Sequence, residues 1–532
     1  MARMRWVALL VVLPLGAATL QALRSTLEGL PWSAIRGETE HLRHELALAV
    51  AVRSAQAAVL ERSPDVAKEI VQEPSTTPIA SSPSVAKRDE VPDANPPTAD
   101  LTVPLLALAR ETPIYAAPTR QARKVGYART GSVLVASVEK VEGRGCSGGW
   151  QRVRPFGFVC GDERVSSQTD HPVRELATRP ADRLASLPYV YVRVKQARVP
   201  LYTRIPSPPE RAALEGSARG ALDRAWRDAF VEPLPQSLAL GRPTPTSHGY
   251  ARSATSLALE RTRPNGSFAL SRLFEVGGQR FGMTPDLLLL PLDRVTEVPV
   301  STFSGVKIRA GQSLPVAFAT SHSAYLYDID VERGAIKLAR KMNYREGAVA
   351  SDQRRFFGGK EYVRFAEGLW ARADQLRFVR SSPAVGSRLK REHTFIDVSL
   401  ADQSLVAYED GRPVFATLIS SGVPEERPGS PSHETVSGQF RIHTKHVTAQ
   451  MTGDEAGDEY SLPDVPYVQY FQGSFAFHAA YWHDAFGTPK SHGCINLSPE
   501  DARFLFGWTE PKVPPGWHGA MASLGTLVSI HE

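Results

Sequence analysis

From about residue 105 to its end the chain is filled with short runs of alternating apolar and polar residues, broken by glycine and proline, which predicts β-strands almost throughout. Three places share one ending. Gly149-Trp150-Gln151-Arg152-Val153 leads into Phe156-Gly157-Phe158-Val159, Gln279-Arg280-Phe281-Gly282 into Thr284-Pro285-Asp286-Leu287, and Glu361-Tyr362-Val363-Arg364 into Glu367-Gly368-Leu369-Trp370. Each reads as a half-polar strand, a tight turn and an apolar strand closing a small barrel, which suggests units at 105–166, 186–300 and 301–382. Generic all-β structure is the alternative for the second and third.

The last unit, 393–532, opens with two runs rich in β-branched and aromatic residues, Phe395–Tyr408 and Val414–Ile419, around Asp410-Gly411. That dipeptide predicts a hairpin. Gln439–His443 and Ser474–Ala480 read as further strands. A helix follows, with Ser498 as N-cap, Pro499 at the first helical position and Asp501 placed for a capping-box contact. Ala502, Leu505 and Trp508 share one of its faces.

Ahead of residue 105 the pattern differs. Two arginines in Met1–Arg5 precede an almost wholly apolar stretch, Trp6–Leu20, the arrangement of an export signal over 1–22, either cleaved or kept as a membrane anchor. Residues 23–62 carry a helical segment, its apolar positions running from Ile35 to Leu60. Residues 63–104 lose all periodicity to Pro, Ser, Thr and Ala, a composition that buries too little surface to offset ordering entropy, and predict a disordered linker. The 532 residues suit three or four domains, and 41 prolines agree with long connecting stretches. The net charge of +6 is spread along the chain, and no nucleic-acid motif is present.

There are only three cysteines. Cys146 and Cys160 flank a turn-rich segment. A disulfide there and two reduced core thiols are both compatible with the spacing, and an exported chain favours the disulfide. Cys494 is left as a lone thiol in Ser-His-Gly-Cys-Ile-Asn, with His478 sixteen positions upstream. A free thiol is only about 3% thiolate at pH 7, so a nucleophilic role needs a histidine within reach. Alternation along Gly473–Ala480 sets Phe475 and Phe477 toward a core and His478 toward the other side, flanked by alanines that leave room for substrate. His492 is placed to share the side of Cys494 and to orient. Gly493 permits close backbone approach, and the amides of Gly493 and Cys494 are candidate oxyanion donors. A zinc site drawn from His478, His483, His492 and Cys494, with His443 and His446, is a rival. Trp482 suits rim packing, and His433, His443 and His446 a surface or strand edge.

The stretch from His478 through Trp482, His483 and Gly487 to Ser491-His492-Gly493-Cys494-Ile495-Asn496 resembles the signature of the L,D-transpeptidases (YkuD-type catalytic domains). The similarity reaches upstream to the strands at 395–419, to Ser421-Gly422 and to Thr435–Phe440, about 140 residues in all. The 105–166 unit is similar to bacterial SH3-like domains. The resemblance implies a mainly β protein: a YkuD-like sandwich or barrel with a few short helices, preceded by SH3-like small barrels, the linker and the export segment. It implies Cys494 as nucleophile, His478 as general base oriented by the carbonyl of Ala479, and His492 and Gly493 shaping the oxyanion pocket. Ser491 and Asn496 would hold the loop, with Trp482 and His483 along the substrate cleft. No metal or other cofactor is implied. Peptidoglycan stem peptides become the expected partners, with a second stem or an envelope-protein lysine as acceptor, in the periplasm or cell envelope. A wall-binding protein without activity remains the other reading. The chain departs from the pattern at Ala479 (often glycine), at Thr435-Val436-Ser437-Gly438 (usually Thr-Pro-x-Gly) and at Asn496 (often arginine, which bears on how a substrate carboxylate is held).

Overall fold

The computed structural model describes residues 101–532 except 169, 178, 196–197, 217–219, 246–256, 263–265, 383–391, 425–431 and 454–459. The expected leader, helical segment and linker up to residue 100 lie outside the described residues. Among the described residues no helix is long and apolar enough to cross a membrane. The protein is mainly β with a few short helices.

Two sheets face each other across the core of the last unit. One holds six strands in the order Val306–Lys307, Arg412–Leu418, Ser404–Glu409, Thr394–Ser399, Leu527–His531 and Gly438–Arg441. The Asp410-Gly411 hairpin is present, and both turn residues have positive φ (47° and 76°), the backbone that makes a two-residue loop match the strand twist. The other sheet runs Ile495–Leu497, Phe475–Ala479, Tyr460–Gln472, Thr444–Gly453 and Gly519–Met521. Ile396, Val398, Leu405, Phe471, Phe477, Ile495 and Val528 fill the space between them.

The helix Pro499–Trp508 lies against this core through Ala502 and Leu505. Ser498 caps it, accepting from Asp501 N–H at 3.2 Å. The Asp501 carboxylate does not complete a capping box on the Ser498 amide. It accepts instead from Gly305 N–H (2.8 Å) and the Thr417 hydroxyl, fastening the incoming connection to the helix. At the far end Lys445, fully buried, donates to the carbonyls of Phe506 (2.6 Å) and Thr509 (3.0 Å), satisfying the end of the helix, while burial pulls its pKa well below the usual lysine value.

The upstream units are not beads on a string. The second sheet continues past Gly519–Met521 into Lys124–Ala128, Thr112–Tyr115, Phe158–Cys160 and Trp150–Arg152, through the pairs Gly126 with Ala520 and Tyr127 with Gly519. Val306–Lys307 likewise extends the first sheet at Phe415 and Ala416. The first strand also starts at Leu101, inside the stretch expected to be linker. Cys146 and Cys160 are joined in a disulfide, Cα–Cα 5.6 Å. The 186–300 stretch forms a five-stranded and a three-stranded sheet, and the 301–382 stretch supplies a seven-stranded one.

Buried at the junction of the first two units and the last, Arg129 pairs with Asp286 (2.8 Å) and with Asp464, which also accepts from Thr448 (2.8 Å). The pair fixes how these regions meet, because replacing one partner would leave the other charge buried without compensation.

Candidate active site

The site grows from one strand pairing. Phe475–Ala479 and Ile495–Leu497 run parallel, with Phe477 opposite Ile495, His478 opposite Asn496 and Ala479 opposite Leu497. Residues in register present side chains to the same face. Phe477, Ala479, Ile495 and Leu497 therefore enter the core together. His478, Asn496, Ala476 and Cys494 share the opposite face, and Cys494 packs beside Ala476. The fifteen residues between His478 and Cys494 are thus bridged by adjacent strands.

That second face is not the open, alanine-flanked surface expected from alternation. His478 is only 3% exposed. Its ring lies 5.6 Å from Trp482, and its Nδ1 is 3.3 Å from the Ala479 carbonyl. A carbonyl can only accept, so Nδ1 carries the proton and Nε2 keeps the lone pair a base requires. Burial lowers its pKa to about 4, partly countered by the Ala479 carbonyl, with neighbouring His483 adding to the depression. The imidazole is neutral at pH 7.

Cys494 is half-buried, and its thiol donates to the Ser474 carbonyl (3.5 Å). Burial pushes it up to about 11, with the Ala476 amide working the other way. A resting thiolate–imidazolium pair is not what this environment favours. Both groups are neutral near pH 7 in this environment.

The segment before the thiol is tightly bound. Gly493 has φ 116°, and a Cβ there would stand 2.9 Å from the Phe475 ring, so glycine is required. Its N–H donates to Ser491 Oγ (3.1 Å), and the Ser491 hydroxyl donates to the Cys494 carbonyl. The Gly493 amide, expected as an oxyanion donor, is therefore engaged in this state. Thr435 Oγ1 donates to the Gly493 carbonyl (2.7 Å) and accepts from Gly422 N–H (2.9 Å). Gln403 holds Ser421 by two bonds (2.6 and 2.9 Å), and the Ser421 carbonyl receives Ser491 N–H (3.0 Å). Sequence reading missed Gln403 and the buried role of Thr435. Both lie in polar turn or loop segments just before strands, where nothing local signals burial.

The bend at Gly493 turns His492 outward, where its exposed ring meets His433 at 4.7 Å. It does not share the side of the thiol. Trp482 is half-buried between His478 and Tyr481 (5.0 Å). His483 Nδ1 accepts from Ala485 N–H (3.2 Å), and its Nε2 meets the Asn496 side-chain amide at 2.9 Å. Both groups are thereby occupied in bracing the loop rather than lining an open cleft.

The six groups of the rival zinc set do not converge. His446 bonds the Tyr127 hydroxyl (2.8 Å) and His443 bonds Thr444 (2.9 Å), while His492 and His483 face His433 and Asn496. His446 is packed against the first unit rather than at the surface. Among the described residues no three His, Cys, Asp or Glu side chains form a cluster able to hold a metal ion.

Residues 393–530 match the family model YkuD, the L,D-transpeptidase catalytic domain. A Bacillus subtilis protein named "Putative L,D-transpeptidase YciB" is 25% identical over 129 residues, 22% of this chain and 62% of the relative's own length. Among solved structures, an Enterococcus faecium L,D-transpeptidase mutant is 27% identical over 26% of this chain and 50% of its own, with a TM-score of 0.21. An L,D-transpeptidase from Xylanimonas cellulosilytica is 26% identical over 26% of this chain and 61% of its own, with a TM-score of 0.20. Residues 393–530, about a quarter of the chain, thus match the YkuD L,D-transpeptidase catalytic domain, and the chain spans less than two thirds of the length of these relatives.

Proposed function

We propose that this protein is an exported cysteine L,D-transpeptidase acting on peptidoglycan stem peptides, with Cys494 as nucleophile and His478 as base. The observation that carries the reading is the parallel pairing of Phe475–Ala479 with Ile495–Leu497, which sets the two side chains on one face one step apart.

Cys494 sulfur attacks the carbonyl joining the third stem residue to its terminal D-Ala, and the thiol proton passes to His478 Nε2. The C–N bond breaks, the imidazolium returns that proton to the leaving D-Ala amine, and a thioester remains. An amine from a second stem or from an envelope-protein lysine then attacks the thioester carbonyl. It gives its proton to His478, which restores the thiol as the C–S bond breaks. The developing oxyanion falls to the Cys494 amide. The Gly493 amide joins it when the Ser491 hydroxyl swings away, and one such donor is worth roughly 2.7–4 kcal/mol. Asn496 holds His483.

Incubation with a defined tetrapeptide, with and without an amine acceptor, tests this. The expected result is a Cys494 thioester seen by mass spectrometry, release of D-Ala and a crosslinked product. A protein that binds the peptide but forms no adduct would instead be a wall-binding module.

A further inference from the structure

The eleven residues Ala480–Lys490, which connect the imidazole to the thiol segment, are bonded by Leu497, Ile419, Ser420, Ser421 and Asn496 of the catalytic unit and are also held from outside it. Tyr481, 1% exposed, lies 4.3 Å from the Tyr191 ring and packs with Ala269 and Val298 of the 186–300 region. Tyr481 in turn abuts Trp482, the ring against His478. Further along, the Asp484 carboxylate accepts from Ser301 Oγ (2.5 Å) and from Arg345. Phe486 stacks on Phe303 (5.6 Å, 24°), and the Gly487 carbonyl accepts from Arg377.

Arg345 is the unusual member. Its side chain is 6% exposed and lies over Tyr344 (4.9 Å), Phe303 (5.2 Å) and Phe486 (5.7 Å). Asp484 is its carboxylate partner, and Nε and Nη1 are buried with no hydrogen bond. Its backbone has φ 61°, a left-handed conformation that is strained for a non-glycine residue. A buried, under-bonded cation on a strained backbone is a poor way to stabilise a fold, and apolar packing of equal volume does as well or better. It does specify one geometry for whatever it grips.

We infer that the 186–300 and 301–382 regions are positioning elements of the reaction rather than spacers. Through Tyr191–Tyr481–Trp482 and Arg345–Asp484–Phe486 they hold the Ala480–Lys490 loop, and with it the His478 ring, in the orientation that meets the thiol. This rests on the reading of His478 as base. Arg345, Tyr191 and Arg377 act through the loop and touch no reacting atom.

The test uses the full-length protein with Arg345→Met, Arg345→Lys and Asp484→Asn, and Arg340→Ala, an exposed cation of the same region, as control. Three readouts are taken: acylation kinetics with a tetrapeptide donor, thermal unfolding, and titration of His478 by NMR of histidine-labelled protein. Arg345→Met is expected to lower kcat for acylation about tenfold to a hundredfold with KM within threefold, the cost of a small misplacement. It is also expected to move the His478 titration, with partial recovery in Arg345→Lys and none of these changes in Arg340→Ala. Should Arg345→Met not fold, Asp484→Asn, which keeps shape and volume, carries the same expectations at smaller size. Activity and melting temperature falling together, with the His478 titration unmoved, would overturn the inference. An unmodified Cys494 in the parent with a shifted titration in Arg345→Met would sink the transpeptidase reading and leave the positioning role standing.

Discussion

The two stretches of chain that meet at Cys494 are held by different means. The thiol side, Ser491–Cys494, is bound from within the catalytic unit by Ser491, Thr435, Ser421 and Gln403, all neutral groups with mutual hydrogen bonds of 2.6–3.1 Å. The imidazole side, Ala480–Lys490, is gripped by arginines and aromatic rings from regions more than a hundred residues upstream. Neutral hydrogen bonds on a glycine-bent loop set the sulfur and its amides independently of distant packing. Charged and aromatic contacts across a module boundary would, on the positioning proposal, tie the orientation of His478 to regions far upstream of it.

That contrast breaks first at the sulfur. Cys494→Ala should abolish the acyl adduct and product entirely, read by mass spectrometry. His478→Ala should lower acyl transfer by about 10²–10⁴ while circular dichroism is unchanged, and alkylation of the thiol near neutral pH should slow. Alkylation at the parent rate would remove His478 from the mechanism. Gly493→Ala forces a side chain onto φ 116° and against Phe475. It should cost about 1–3 kcal/mol of stability by denaturant titration and a larger share of acylation than any upstream substitution. Thr435→Val, which keeps the shape but drops the bonds to Gly422 and Gly493, should lose about 1–3 kcal/mol for its stranded partners and slow acylation moderately.

The smallest effect is on pH. Alkylation of Cys494 should climb toward about pH 11 in the parent, because burial raises the thiol to about 11. On the acid side, burial lowers His446, His478 and His483 to about 4, so between pH 6.5 and 4 the unfolded chain binds more protons than the folded one. Their share of stability is complete above pH 6.5 and is lost as pH falls through 4. His443 and His518, also lowered by burial, act in the same direction, while Asp501, raised by burial to about 6, and Asp397, also raised by burial, work in the opposite sense over part of that window. A melting temperature that rises between pH 6.5 and 4 would contradict this.

Much of the catalytic unit was legible because its signals are local. Asp410-Gly411 needs only its own φ preferences to make a hairpin, and Ser498-Pro499 needs only its own hydroxyl and ring to start a helix. The strands Thr444–Gly453 and Tyr460–Gln472 were not read in advance, since Lys445, Thr448 and Gln469 turn polar groups inward and spoil the alternation. What they satisfy lies elsewhere: helix carbonyls for Lys445, Asp464 for Thr448. The outward turn of His492 was missed because Gly493 at φ 116° reverses the alternation assumed across it.

Sequence alone singled out the lone thiol Cys494, His478 as its proposed base and the strand that carries His478, because residue type and short spacing govern nucleophilicity, hairpins and helix caps. Only the tertiary structure decided that His478 sits buried and neutral, that Gly493 N–H is already engaged, and that Arg345 reaches Asp484 across 139 residues. Desolvation and long-range packing depend on what the remainder of the chain brings alongside, and no local pattern encodes that.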